Sequence, residues 1–395
     1  MNQSYKPHFS RFLAAAPGRL HFAAHSHHYW PDVTFDAQVE CWQDAARLAG
    51  GKWDHVLGTV MPEVQRGIAR HLGLPDPASL AFAPNTHEFV KRLLSCLPSS
   101  PASGQVPRIL TSDGEFHSFS RQVARLEEDG LAAVTRVAVE PVADFSARFA
   151  AAAQEAAYDL IFFSQVFFNS GFALGDLDAL VARLPAEPFV VIDGYHGFLA
   201  RPADLGAVAE RAFYMAGGYK YAMSGEGVCF LHAPAGYGAR PRDTGWYAAF
   251  GALQQAAGGA VAYAGDGGRF LGATFDPVGL YRLRAVLRLL EAVGLDVAGI
   301  HAHARALQDR FLAGLRAQPG GVLPVERLLL DPARVPCGNF LTFDLGSEAA
   351  AGTVHGRMKA AEIATDFRGA RLRLGFGIYQ DADDVDALLA RLAAI

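Results

Sequence analysis

Short apolar runs rich in Val, Ile and Phe alternate along the chain with Ala/Leu/Arg segments of helical period. The runs predict strands at Leu80–Ala83, Arg108–Thr111, Ala133–Ala138, Leu160–Ser164, Phe189–Asp193, Ala212–Ala216 and Gly227–His232. Strands covered on both faces read in this way, as continuous apolar stretches rather than alternating ones. Between them the 3.6-residue period predicts helices at Glu88–Cys96, Phe119–Glu128, Asp144–Ala156 and Leu177–Leu184. Such alternation builds crossover units around a mostly parallel sheet, so the expected fold class is α/β, with these seven strands in one sheet.

After about residue 275 the pattern changes. Helices are predicted at Pro277–Val293, Val297–Gln318 and Asp384–Ala394, with short strands near Asn339–Asp344 and Arg371–Phe376. The expectation is a large domain over residues 21–274 and a smaller α+β domain built from residues 1–20 and 275–395. The Gly/Pro-rich stretch Ala233–Gly245 and the polar Ala264–Gly268 read as surface connections.

Ligands of open parallel sheets sit beyond the carboxyl ends of the strands, so the polar residues that follow each strand carry the functional question. Lys220, one of only five lysines among 35 basic residues, stands in AGGYKYAMSGEG directly after a strand, among glycines that let a ligand approach the backbone. A lysine amine of lowered pKa forms imines with carbonyl cofactors; an ordinary loop lysine fits the same local sequence. The run Phe189–Ile192 ends in Asp193, 27 residues before Lys220. A carboxylate there can pair with a protonated pyridine nitrogen, the partner that pyridoxal phosphate (PLP) requires; a helix cap or a ribose-binding acid is the other reading. In Ala83-Pro84-Asn85-Thr86-His87 the helix amides and the Thr86 hydroxyl suit a phosphate, and capping alone also explains Asn85 or Thr86. Phe116, after the next strand, can lie on a cofactor ring or simply fill the core. One cofactor, PLP, accounts for all four signals together.

Composition narrows the partners. A net charge of -5 and a pI near 6.3 offer no basic face for a nucleic-acid backbone. No stretch approaches the ~20 apolar residues of a membrane span, and the first residues lack a leader pattern. A cytoplasmic protein acting on a small molecule is expected, with neither nucleic acid nor membrane as partner. The cysteines, Cys41, Cys96, Cys229 and Cys337, form no CxxC pair and suggest neither zinc nor disulfides. Cys337 alone is a candidate catalytic thiol, and a buried structural thiol is its other reading. His25, His27 and His28 lack a second ligand cluster, so no metal is expected.

Tyr219-Lys220-Tyr221 with its following glycines, and Asp193-Gly194-Tyr195-His196, resemble motifs of the aminotransferase class V family of fold-type I PLP enzymes, and within it most closely those of the kynureninases. The resemblance runs from about His21 to the C-terminus. It implies Lys220 as the Schiff-base lysine, Asp193 as pyridinium partner, Phe116 as stacking aromatic and Thr86, with Asn85, as phosphate ligand. It further implies His196, Tyr219 and Gln165 as cofactor contacts, and Trp246 and Thr274 as residues reaching the phosphate of a neighbouring subunit, hence a homodimer with shared sites. Arg373, with Arg371 as fallback, would grip the substrate carboxylate, and His25 and Ser26 would lie near the substrate. Two departures fall near the substrate: His117-Ser118-Phe119 lacks an acid that kynureninases carry there, and the segment His25–Trp30 is rich in histidine.

The expected activity is therefore PLP-dependent chemistry on a small L-amino acid, with kynureninase-like hydrolytic Cβ–Cγ cleavage favoured. The alternatives are β-elimination of the cysteine desulfurase or C–S lyase type, transamination, and a catalytically silent binding protein. Intact Lys220, Asp193 and Arg373 speak against the last.

Overall fold

The computed structural model describes residues 4–98, 106–250, 260–318 and 320–395. Its strands are β1 (Leu20–His21), β2 (Leu80–Ala83), β3 (Arg108–Ser112), β4 (Ala133–Val137), β5 (Leu160–Ser164), β6 (Phe189–Asp193), β7 (Ala212–Gly217), β8 (Cys229–His232), β9 (Phe340–Asp344), β10 (Ile363–Ala364), β11 (Asp366–Arg368) and β12 (Arg371–Gly375). Its helices are α1 (Ser10–Ala15), α2 (Val33–Leu48), α3 (Lys52–His55), α4 (Met61–Leu72), α5 (Thr86–Ser95), α6 (His117–Glu128), α7 (Phe145–Gln154), α8 (Leu177–Val181), α9 (Val278–Ala292), α10 (Val297–Ala317), α11 (Glu348–Ala360) and α12 (Ala382–Ala393).

All seven expected strands join one sheet in the order β2-β8-β7-β6-β5-β3-β4. Strands β3 to β7 are mutually parallel and β8 runs against both of its neighbours. The period-2 geometry of a strand sends alternate residues to opposite faces. Leu110, Ile161, Phe163, Val190, Ile192 and Tyr214 enter one core cluster, while Ile109, Leu160, Phe162, Val191, Phe213 and Met215 enter another. Burial on both faces explains why these strands read as unbroken apolar runs, each fully buried side chain contributing about 1.5–3 kcal/mol.

Helices α5 and α6 begin two residues earlier than the apolar period predicts. The Asn85 side chain accepts the Glu88 amide proton at 3.1 Å, so the helix starts at its cap rather than at its first apolar residue. Helix α9 packs through Leu280, Leu283 and Val286 into the cluster that holds Val60, Val64 and Ile68 around α4.

The smaller sheet, β11-β12-β9, is antiparallel. Leu341, Phe343, Leu372 and Leu374 meet Phe311 of α10 and Val385 and Leu388 of α12 in a third cluster. The N-terminal segment is tied to this region: β1 pairs in parallel with β10, Leu20 opposite Ile363, and Ala23 bridges to Gly375. That attachment sets His25 and Ser26 beside the antiparallel sheet.

Candidate active site

The chain leaves β3 outward to β4 and returns to β5 on the other side, so the direction of winding reverses between β3 and β5. Ligand crevices form outside the carboxyl ends of strands at such a reversal. A cavity of about 350 Å³ opens here, with Asn85, Thr86, Phe116, Ser164, Asp193, His196, Tyr219 and Lys220 in its wall. Five separate strand ends thus deliver one set of polar groups to one place.

Lys220 is 5% exposed, and its Nζ lies 2.8 Å from His196 Nε2 and about 5 Å from the ring centres of Phe116 and Tyr195. Burial pushes its ammonium down to about 7 against the opposing pull of Asp193. His196 is driven well below its ordinary range, first by burial and then by the charge of Lys220. It stays neutral and accepts from Nζ. Glycines make the approach possible: a Cβ at Gly194 would come within 2.0 Å of the Tyr214 ring and hydroxyl, and one at Gly218 within 2.3 Å of Ser224 Oγ.

Asp193 ends β6 and its Oδ1 accepts the Tyr195 amide proton at 2.9 Å. Burial raises its carboxyl, and among the described residues no Lys, Arg or His lies in salt-bridge contact with it. A carboxylate held at a strand end without a basic partner fits a ligand that brings its own cation, as a protonated pyridine does. The first turn of α5 supplies a complementary feature. Pro84 to His87 form the wall where the positive end of this helix meets the cavity, a ready anion site. The lysine, the buried strand-end aspartate and the helix N-terminus match the aldehyde, the pyridine nitrogen and the phosphate of PLP.

Other expected site residues lie elsewhere. The Gln165 side chain turns to the opposite face of the sheet, where its Oε1 accepts from the Tyr214 hydroxyl at 2.9 Å; Ser164 occupies the pocket in its place. A single residue of strand alternation separates the two. Trp246 is 44% exposed and Thr274 is exposed as well, and neither lines the cavity of its own chain.

Arg373 is buried and already engaged. Its Nε and Nη2 meet Asp366 at 3.0 and 2.5 Å, and its Nη1 donates to the Phe168 carbonyl at 2.6 Å. Arg371 points to Glu140 at 2.6 Å, along the wall of a different cavity. His25 is fully buried, its Nε2 2.8 Å from Asp366 Oδ1, while Ser26 is half-buried beside His27. The three histidines diverge: His27 stacks on Tyr219 at 5.3 Å, and His28 Nδ1 donates to the Tyr29 carbonyl.

The structure also adds residues to those expected. Glu115 is 3% exposed and contacts two serine hydroxyls below the cavity. Phe168 stands edge-on to Phe116 at 5.3 Å. Asp366 organises both His25 and Arg373. An acid next to an aromatic at a strand end was the only sequence signal for Glu115. Asp366 carried none, since its role depends on an antiparallel register that sets it opposite Arg373.

Comparison with solved structures finds the same fold. The cystine C–S lyase C-DES, in complex with its reaction product cysteine persulfide, superposes with a TM-score of 0.80 at 18% identity, over 96% of this chain and 99% of that one. A C-DES variant with glycine covalently linked to the PLP cofactor gives 0.82 at 18% identity, over 99% of each chain. The cysteine desulfurase from Thermococcus onnurineus NA1 gives 0.76 at 15% identity, over 100% of this chain and 98% of that one. At these identities the likeness is one of fold. Comparison with curated protein sequences finds no match. Residues 52–388 match the family described as aminotransferase class-V. The chain is therefore a member of the aminotransferase class-V family and a PLP-dependent enzyme.

Proposed function

We propose that the protein is a C–S lyase that eliminates a sulfur-containing β-substituent from a cysteine-like amino acid. The carrying observation is the placement of the thiols relative to the cavity. Desulfurase chemistry of the persulfide-relay kind needs a reactive, mobile cysteine. All four cysteines fall within the described residues and none lines the cavity. Cys337 is 5% exposed, burial pushes its thiol up to about 11, and it lies beside Arg201 and His301 in another cavity. Cys229, behind the site, is pushed up to about 12. A reaction in which the sulfur leaves with its own fragment requires no protein thiol. The full-length fold likeness to a cystine C–S lyase supports the same reading.

When bound, PLP withdraws electrons from the Cα of an amino substrate. Lys220, Asp193, Phe116 and the first turn of α5 would hold it. Lys220, brought near neutrality by burial, takes the Cα proton as general base. His196 fixes the position of Nζ between transfers. Phe116 and Phe168, edge to face at 5.3 Å, give the cavity an apolar wall. Loss of that proton is followed by departure of the β-substituent with its sulfur, and the remaining three-carbon fragment takes up one water and ends as pyruvate and ammonia.

Kynureninase-like hydrolysis is the second reading, favoured by the aromatic cavity mouth. Phe168 against Phe116 and His117, and Tyr219 stacked on His27, form surfaces suited to a planar side chain. A homodimer is part of both readings. The exposed Trp246, and Phe35, Val39 and Trp42 along one face of α2, support it as apolar surface available to a second copy.

The deciding experiment incubates the holoenzyme with cystine, cysteine, kynurenine and hydroxykynurenine, with a Lys220→Ala control, and identifies the products by mass spectrometry. Pyruvate with a persulfide from cystine is the expected result. Alanine with an anthranilate-type acid would replace the lyase reading by the hydrolytic one, and a keto acid retaining the side chain would indicate transamination.

A further inference from the structure

The ladder between β3 and β5 stops at Leu110 opposite Ile161, whereas β5 and β6 stay paired to their last residues, Ser164 opposite Asp193. The sheet therefore splits at its carboxyl edge beneath the cavity, and the side chain of Glu115 fills the split. Its Oε1 accepts from the Ser112 hydroxyl at 2.5 Å and from the Ser164 amide at 3.3 Å, and its Oε2 lies 2.5 Å from the Ser164 hydroxyl oxygen, in hydrogen bond with it. Each of these partners belongs to a serine, and among the described residues no Lys, Arg or His pairs with this carboxyl.

The directions of these bonds are constrained. Ser112 Oγ accepts from the Gly114 amide at 3.1 Å, which leaves its own proton for Oε1. Oε1 already accepts from both the Ser112 hydroxyl and the Ser164 amide, so a proton on the carboxyl sits on Oε2, facing Ser164. With Glu115 ionised, the Ser164 hydroxyl donates downward and turns a lone pair to the cavity. With Glu115 protonated, Oε2–H donates to Ser164 Oγ, and the hydroxyl proton of Ser164 is released toward the cavity beside Asp193. The titratable group facing Glu115 is Asp193 on β6, whose negative charge adds to burial in favouring the protonated form.

We infer that Glu115 is a positioning residue for the cofactor: through the Ser164 hydroxyl it fixes whether the cavity floor beside Asp193 offers the bound ring a hydrogen-bond donor or an acceptor. The inference rests on the cofactor assignment only in naming the group that Ser164 meets. Burial pushes the Glu115 carboxyl up to about 8, so the donor form prevails at neutral pH and gives way to the acceptor form in mildly alkaline solution.

The test has two arms. In cofactor-free protein, infrared difference spectra between wild type and Glu115→Gln should show a protonated carboxyl at pH 6–7 that disappears near pH 8 and is missing from the variant. Asp193 is present in both proteins and cancels. In the holoenzyme, the absorption of the bound cofactor should change through the same pH step in wild type and stay flat in Glu115→Gln. Ser164→Ala, which removes one hydroxyl and is the milder change should Glu115→Gln misfold, should likewise abolish the step and weaken cofactor binding about tenfold. An ionised Glu115 at pH 6, or a step that survives in both variants, overturns the inference. If wild type takes up no PLP, the infrared arm still decides the state of Glu115, and the failure is that of the cofactor assignment.

Discussion

Arg373 donates two near-parallel hydrogen bonds to Asp366, at 3.0 and 2.5 Å, across the antiparallel pair β11–β12. Arg373 is 3% exposed, and His25 Nε2 also meets the carboxylate, 2.8 Å from Oδ1. Removing one member of a buried, hydrogen-bonded ion pair leaves a charge without compensation. Asp366→Ala is therefore expected to lower unfolding stability by roughly 3 kcal/mol. In the double variant Asp366→Ala/Arg373→Met the loss should be clearly less than the sum of the two single losses. Urea unfolding of the four proteins measures the cycle; additive losses would mean that the pair is not energetically coupled.

His25 gives the Asp366–Arg373 pair beside it a pH dependence of definite sign. Burial holds its imidazole down to about 4 from an ordinary 6.5. The physical reason is visible at Nδ1, which is buried without a partner and could not satisfy a second N–H. The folded state thus binds fewer protons than the unfolded one. Its stability contribution is complete above pH 6.5 and is lost as pH falls toward 4, on the order of 3 kcal/mol in total. Asp366, held well below the usual carboxylate range, adds a loss of the same sign below about pH 4. His25→Phe should keep the stacking on Phe340 and flatten the melting-temperature profile between pH 4 and 6.5.

Glu115 acts in the opposite sense. Its carboxyl is raised from 4.5 to about 8, so the associated stability is complete below pH 4.5 and is lost as pH rises toward 8. Relative to wild type, Glu115→Gln should gain stability steadily across that window, on the order of 4 kcal/mol by its upper end. A constant difference between the two proteins from pH 5 to pH 8 would contradict a buried neutral carboxyl.

Lys220 and Asp193 have separable roles. Borohydride reduction of the holoenzyme, followed by peptide mass spectrometry, should fix the cofactor's mass on Lys220 and on none of Lys6, Lys52, Lys91 or Lys359. Asp193→Asn keeps the shape of the cavity but removes the partner of a pyridinium. It should retain cofactor and lose at least about 100-fold in kcat, a loss in the range of positioned acid–base effects. Loss of cofactor with unchanged kcat for the remaining holoenzyme would reverse that assignment.

Cys337→Ala tests the absence of a protein thiol from the chemistry. The side chain is buried next to Arg201, which donates to the Cys337 carbonyl rather than to its sulfur. The variant should keep its turnover of cystine within about twofold and lose roughly 1 kcal/mol of stability, the cost of a small cavity. A large loss of kcat with stability intact would restore the persulfide relay.

Much of the large sheet was legible because each strand is buried on both faces, which makes the apolar run itself the signal; β5 and β6 form with the bounds expected of them. Helix α2 was not legible in that way. Phe35, Val39 and Trp42 lie on its outward face, while the inward side carries Ala37 and the buried Asp44, so its apolar period points away from the core. Within the site, Asp193 closes a strand and Lys220, Thr86 and Phe116 follow strands within a few residues, and their location comes from topology. Gln165 shows the limit of that logic, because one step along an extended backbone exchanges the faces of the sheet. The Asp366–Arg373 pair needed a tertiary register that local sequence does not state.

The pairing of Leu20 with Ile363 has a consequence for synthesis. A nascent chain can bring together the strand ends that carry Thr86, Phe116, Ser164, Asp193 and Lys220 once β8 has emerged, since these contacts lie within the first 232 residues. The segment bearing His25 must wait for its partner strand to be translated more than a hundred residues later. Domains generally fold as they emerge, and distant pairings close last. The floor of the cavity can therefore exist on the ribosome before the His25–Asp366–Arg373 cluster closes, leaving Phe22 and its apolar neighbours in need of temporary shelter until the last strands arrive.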